Sequence, residues 1–178
     1  MKKRDQSAMH KDATLLGVLS DSHGDSAATR QALKLLTDRG ATTFIHCGDV
    51  CGERVLDELA GHDAHFVWGN CDDPSPLLRN YVKHLGLPWP NGPLKLDLAG
   101  QRIAVFHGHE REFRAALQDP ALDLIFFGHT HRYEDNNKGG VRAINPGALF
   151  RANPRTCALM NLTTGRATFL TLDGRELA

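Results

Sequence analysis

The sequence predicts a mixed α/β fold carrying both parallel and antiparallel strand pairings, and three observations predict it. Short apolar runs alternate with helical segments through the first half. Paired strand patterns dominate the second half, and strand after strand ends in a glycine beside polar residues.

In chain order, "TLLGVLSDSHG" reads as a buried strand running into a polar turn, with Asp25 or Ser26 capping the helix that follows. In "SAATRQALKLLTDRG", Ala28, Ala32, Leu35 and Leu36 recur at helical spacing and Gly40 marks the stop. "TTFIHCGDVCG" repeats the plan, "ERVLDELAG" is a short amphipathic helix, and "AHFVWGNCDDP" is again a strand ending in polar residues. "SPLLRNYVKHLG" is a helix after a proline-marked turn. "LKLDLAGQRIAVFHGH" is two strands joined through Ala99-Gly100 as a hairpin. "REFRAALQD" is helical up to Pro120, "DLIFFGHTH" is a buried strand, and "TCALMNLTTGRATFLTLDG" is a terminal hairpin turning at Thr164-Gly165. No internal repeat or dividing linker interrupts this order.

At 178 residues the chain suits one domain with a sizeable core. Lys+Arg and Asp+Glu are both 21, so no net charge advertises nucleic acid or an anionic membrane. No apolar run approaches the roughly 18 to 20 residues of a membrane span. Residues 1–13, "MKKRDQSAMHKDA", lack the apolar centre of a signal peptide and read as a disordered tail before a single domain at 14–178. The four cysteines are too sparse for a disulfide framework, which makes a reducing cytoplasm the expected setting. A homo-oligomer stays open.

The chemistry lies in the strand ends: "LSDSHG", "HCGDVCG", "WGNCDD", "VFHGHE" and "FGHTH". Ligands collect at the carboxyl ends of strands in α/β sheets. Five such ends along one sheet edge bring together Asp21, His23, Asp49, Asn70, His107, His129 and His131. These oxygen and nitrogen donors suit Mn²⁺, Fe²⁺ or Zn²⁺ rather than an iron–sulfur cluster or Cys-rich zinc. The count exceeds the four ligands of a closed zinc site, so two ions follow, with Asp49 as the carboxylate to bridge them. His46 reads as core or support rather than ligand, and His10, His62, His65 and His84 have no supporting pattern.

D-x-H, G-D, G-N-x-D, H-G-H and G-H-x-H, in that order, resemble the calcineurin-like metallophosphoesterases. The small bacterial and archaeal phosphodiesterase branch is the nearest likeness, and that branch resembles a eukaryotic retromer scaffold subunit. The resemblance spans nearly the whole chain from about Thr14. It implies a four-layer α/β/β/α sandwich and hydrolysis of a small phosphate ester, a diester first of all, by a metal-bridging hydroxide. It implies that Asp21, His23 and His131 hold one ion and Asn70, His107 and His129 the other, with Asp49 shared. Mn²⁺ is the expected ion, with Fe, Zn or Ni as alternatives. The rival reading is a catalytically weak metal-binding scaffold, marked by an apolar patch, for which "GLPWPNGPL" around Trp89 is the stretch to watch, a loop packed over the core or beside the active-site mouth being the equal alternative.

Many members of the family have histidine, the leaving-group acid, where Cys71 stands. A thiol with pKa around 8.5 is a poor substitute. Asp72, which would orient that histidine, then has no evident catalytic partner, and the expectation is a preference for activated leaving groups, or leaving-group protonation by water, His109 or another residue. Arg111 and Arg132 are candidates for substrate phosphate, because guanidinium matches phosphate oxygens. "INPGAL" resembles the family's N-P-G-S turn and reads as structural.

Overall fold

The computed structural model describes residues 15–137 and 140–177. The tail assigned to residues 1–13 lies outside the described residues.

Two sheets form the centre. The first half of the chain runs β1 (Leu15–Leu19), α1 (Ser26–Asp38), β2 (Thr43–His46), α2 (Glu53–Leu59), β3 (Asp63–Phe66) and α3 (Pro76–His84). Then follow β4 (Leu94–Leu98), β5 (Gln101–Val105), α4 (Phe113–Ala116), β6 (Leu124–Phe126), β7 (Tyr133–Asn136) and β8 (Arg142–Pro146). The chain closes with β9 (Thr156–Asn161), β10 (Arg166–Thr171) and β11 (Glu176–Leu177). One sheet has the order β11-β10-β9-β1-β2-β3 and the other β4-β5-β6-β8-β7. β1, β2 and β3 pair in parallel, with Val18 opposite Ile45, while β9 joins β1 antiparallel. In the second sheet β5, β6 and β8 are parallel, and β4 and β7 close its edges antiparallel.

Strand alternation builds the layers. Leu16 and Val18 of β1 meet Ile45, Val105, Phe126 and Ile144 between the sheets. Leu19 and Phe44 face the other way, onto Leu36, Val55 and Leu56 of α1 and α2. On the far side Ile125 and Phe127 pack with Phe113, Ala116 and Leu117 around α4. Burial on both faces explains why "LIFF" is continuously apolar. The result is the α/β/β/α sandwich, thin on the α4 side.

Asp25, not Ser26, caps α1, its side chain accepting from the Ala28 amide at 3.0 Å. The helix expected over "REFRAALQD" is confined to four residues, because the chain turns through Gln118 and Asp119 toward Pro120, which has no N–H to continue it. The β7–β8 pairing was not foreseen. β7 is a polar edge strand whose Glu134 and Asp135 are exposed, so no apolar alternation marks it. β11 adds a two-residue edge at the other sheet.

Trp89 does not form an exposed patch. It packs on Trp68 with ring centroids 5.1 Å apart, under the Arg79 guanidinium, over the helical side of the core. Among the described residues, no helix is long and apolar enough to cross a membrane.

Candidate metal centre

The expectation of a single sheet edge needs correcting. β1, β2 and β3 belong to one sheet, and β5 and β6 to the other. The donors converge because the two sheets stack with these strand ends together. All seven expected donors meet there.

Two groups of acceptors share one carboxylate. In the first, His23 Nε2 and His131 Nε2 are 3.2 Å apart, and Asp21 Oδ1 is 3.2 Å from His131 and 4.0 Å from His23. Asp49 Oδ2 closes it at 3.4 Å from His23. In the second, His107 Nε2 lies 3.1 Å from Asn70 Oδ1, 3.3 Å from His129 Nδ1 and 3.5 Å from Asp49 Oδ1. Asp49 thus turns one oxygen to each group. His129 and His131, one residue apart, fall into different groups.

Such convergence of lone pairs is repulsive unless something positive sits among them. Asp21 shows this most plainly. Its Oδ2 accepts from Ser20 Oγ at 2.6 Å and the His129 amide at 3.1 Å, whereas Oδ1 is buried and accepts no hydrogen bond. His107 has its Nδ1 2.8 Å from the Cys47 carbonyl, an arrangement that aims Nε2 into the group. Burial opposes charge on His107, but the Asp49 carboxylate and the Cys47 carbonyl outweigh it and raise its pKa. Asp49 answers in kind: burial pushes it up, and hydrogen bonds from His107 and the Cys71 amide hold it well below the usual carboxylate range. Asp21, His23 and His131 bring ligand atoms to within 4.8 Å of one another, as do Asp21, Asp49 and His107, and nitrogen and oxygen donors of this kind suit divalent metal ions.

The backbone aims these donors. Asp21, His23, Asp49, His129 and His131 all have positive φ, from 43° to 69°, a region side-chain-bearing residues rarely enter. Hydrogen bonds between loops hold them there. Asp21, His23 and Gly24 amides donate to the carbonyls of Gly48, Asp49 and Val50 at 2.9–3.0 Å. Gly128 lets the β6 turn press on the β1 turn: a Cβ there would lie 2.0 Å from Ser20 Oγ and 2.7 Å from Asp21 Oδ2.

Three supporting residues hold the donor loops, His46 in the supporting role expected of it and Asp72 and Asn145 in roles that the sequence reading did not assign. The Asp72 carboxylate, expected to lack a catalytic partner, accepts from the amides of Cys51 (2.7 Å), Gly69 (2.7 Å) and Val50 (3.2 Å), tying the Asp49 loop to the Asn70 loop. Asn145, in the turn read as structural, donates to the Gly128 carbonyl and to Thr130 Oγ1, and so fixes the loop bearing His129 and His131. His46 is fully buried; its Nε2 meets Ser22 Oγ at 2.7 Å and its Nδ1 accepts from the Gly48 amide at 3.2 Å. Burial and the nearby His107 push its pKa down to about 3, so it is a neutral brace between the β1 and β2 turns.

The remaining candidates line the rim. His109 is partly exposed, with ring centroids 5.3 Å from His107 and 6.3 Å from His129. Its neighbour Glu110 caps the turn, accepting from the His107 and Gly108 amides at 2.7 Å each. Cys71 is exposed, with Sγ 3.4 Å from Asn70 Nδ2. Arg111 and Arg132 are exposed beside the H-G-H and G-H-T-H turns.

The chain is 26% identical to phosphodiesterase MJ0936 of Methanocaldococcus jannaschii over 74% of its length and 82% of that protein. It is 28% identical to phosphodiesterase YfcE of Escherichia coli over 73% of its length and 76% of that protein. Among solved structures, an archaeal phosphodiesterase superposes with a TM-score of 0.79 at 21% identity, covering 88% of this chain and 99% of that one. Zinc-complexed Vps29 of Entamoeba histolytica superposes at 0.65 and 22% identity, covering 92% and 96%, a likeness of fold. Residues 15–165 match the calcineurin-like phosphoesterase superfamily domain, and the chain belongs to that superfamily.

Proposed function

We propose that this phosphoesterase is a two-metal phosphodiesterase. Asp21, His23 and His131 would hold one divalent ion, Asn70, His107 and His129 the other, and Asp49 would serve both. One observation carries the reading: two groups of convergent acceptors divide the oxygens of a single buried carboxylate between them. Mn²⁺ is the ion we assign first, since four nitrogen and three or more hard oxygen donors require no thiolate. When bound, such a pair of ions supplies Lewis acidity toward phosphoryl oxygens and lowers the pKa of an attacking water.

The chain's own residues supply the rest. Asp49 stays ionised because His107 and the Cys71 amide oppose the cost of its burial. Asp72 and Asn145 keep the donor loops in register, so no reorganisation is needed as substrate arrives. His109 stands at the rim, placed to meet a substrate oxygen or to protonate a leaving group, and Arg111 and Arg132 offer guanidinium groups to phosphate. Four free thiols support a reducing, cytoplasmic setting.

The test is hydrolysis of bis-p-nitrophenyl phosphate by metal-stripped protein, with and without Mn²⁺, beside an Asp49→Asn control. Turnover should require the metal and fall at least roughly a hundredfold in the control. Metal binding without turnover on a wide panel of diesters would defeat the enzyme reading.

A further inference from the structure

A third group of donors stands at the mouth of the site. His23, Asp49 and Cys71 bring a ring nitrogen, a carboxylate oxygen and Sγ to within 4.8 Å of one another. We propose that Cys71 is a metal ligand, adding a soft donor to the ion held by His23 and Asp49 and giving that seat a preference for thiophilic ions. This rests on the reading that His23 and Asp49 hold a divalent ion.

The geometry is close to what such an ion needs. A tetrahedral ion with bonds of about 2.0 to 2.3 Å sets its donors roughly 3.3 to 3.8 Å apart. His23 Nε2 and Asp49 Oδ2 already meet this at 3.4 Å. Cys71 has about 1 Å to close by that same measure. Its side chain is exposed and can turn, while its backbone is fixed by the amide donating to Asp49 Oδ1 at 2.8 Å. A second observation points to the same place: buried Asp21 Oδ1, without a hydrogen bond, lies 4.0 Å from the same His23 Nε2. On ligation the S–H bond gives way to an S–metal bond, and the proton leaves to solvent.

Thiolate separates ions that nitrogen and oxygen donors treat alike. Zn²⁺, Co²⁺ and Cd²⁺ gain from sulfur, and Mn²⁺ gains little. Cys51 is the natural control, because its Sγ lies 3.7 Å from Nδ1 of His23, the nitrogen opposite the one that faces the site.

The experiment loads metal-stripped protein with Co²⁺ and records the near-ultraviolet absorption, with calorimetry to count bound ions. A sulfur-to-cobalt charge-transfer band is expected in the wild type and in Cys51→Ser, and its loss is expected in Cys71→Ser. Zn²⁺ affinity should fall roughly tenfold in Cys71→Ser, while Mn²⁺ affinity changes by less than about threefold. Bound Co²⁺ without the band, or a band that survives in Cys71→Ser, overturns the proposal and leaves the two-metal reading standing. Absence of Co²⁺ and Mn²⁺ binding in the wild type overturns both.

Discussion

Asp72 offers the sharpest test of how the site is built. It holds three backbone amides from two loops, those of Val50 and Cys51 beside Asp49 and that of Gly69 beside Asn70. Burial raises its pKa even though the amides of Gly69, Cys51 and Val50 pull the other way, so part of the stabilisation is spent on holding a charge out of water. Asp72→Ala leaves three donors without an acceptor at about 1 kcal/mol each, the low end for such groups, or about 3 kcal/mol in total. For a chain of this size that is a fall in Tm of roughly 6 to 12 °C. Because Asp49 and Asn70 lose their common anchor, Mn²⁺ affinity should fall about 10- to 100-fold. Asp72→Asn keeps the shape and one good acceptor, and its losses should be smaller on both measures. Thermal unfolding of the metal-free protein and calorimetric Mn²⁺ titration read the two effects separately. If Asp72→Ala kept Tm within about 2 °C and bound Mn²⁺ normally while kcat collapsed, Asp72 would act on substrate, and the clamp would be refuted.

Other outcomes follow from the same contacts. His46 has a folded pKa of about 3 against an ordinary 6.5, so the unfolded chain takes up its proton first. Stability is therefore full above about pH 6.5 and is lost as pH falls, by about 2 kcal/mol at pH 5; denaturant melts of the metal-free protein should show this loss reduced in His46→Gln. Gly128→Ala drives a Cβ against Ser20 and Asp21, and should cost about 1 to 3 kcal/mol and weaken Mn²⁺ binding by calorimetry; unchanged affinity would show that the two turns can separate freely. Cys71→His places an imidazole at the mouth, and in the Mn²⁺ form it should raise kcat on diesters with poor leaving groups by about a hundredfold, a gain absent for p-nitrophenyl esters.

The donors were legible because each closes a recognisable strand. His129 and His131 follow "LIFF", and Asp49 follows "TFIHCG"; a break from apolar run to glycine and polar side chain is a local signal. Their partition between two sheets was not legible, because a strand ending reads the same whichever sheet it joins. Asp72 and Asn145 escaped for a related reason, whereas His46, at the end of β2, was legible as core or support. Asp72 meets Val50 and Cys51 across about twenty residues of chain, and Asn145 meets Gly128 across 17. Only the stacked sheets make these residues neighbours. β7 was missed because an exposed edge strand of "YEDN" has no reason to alternate.

The strained turns and the converging donors are two sides of one arrangement. Five side-chain-bearing donors in the left-handed region cost about 1 kcal/mol or more each, a sum comparable with the whole stability of an ordinary domain. Nothing in a relaxed turn would require that. The strain persists because loop-to-loop hydrogen bonds from Asp21, His23 and Gly24, with the Asp72 and Asn145 anchors, over-determine the backbone. What it secures is the direction of each lone pair, including an Asp21 oxygen buried with no hydrogen bond to satisfy it. A fold that bears these costs in order to gather acceptors around two points is organised to hold positive charge there.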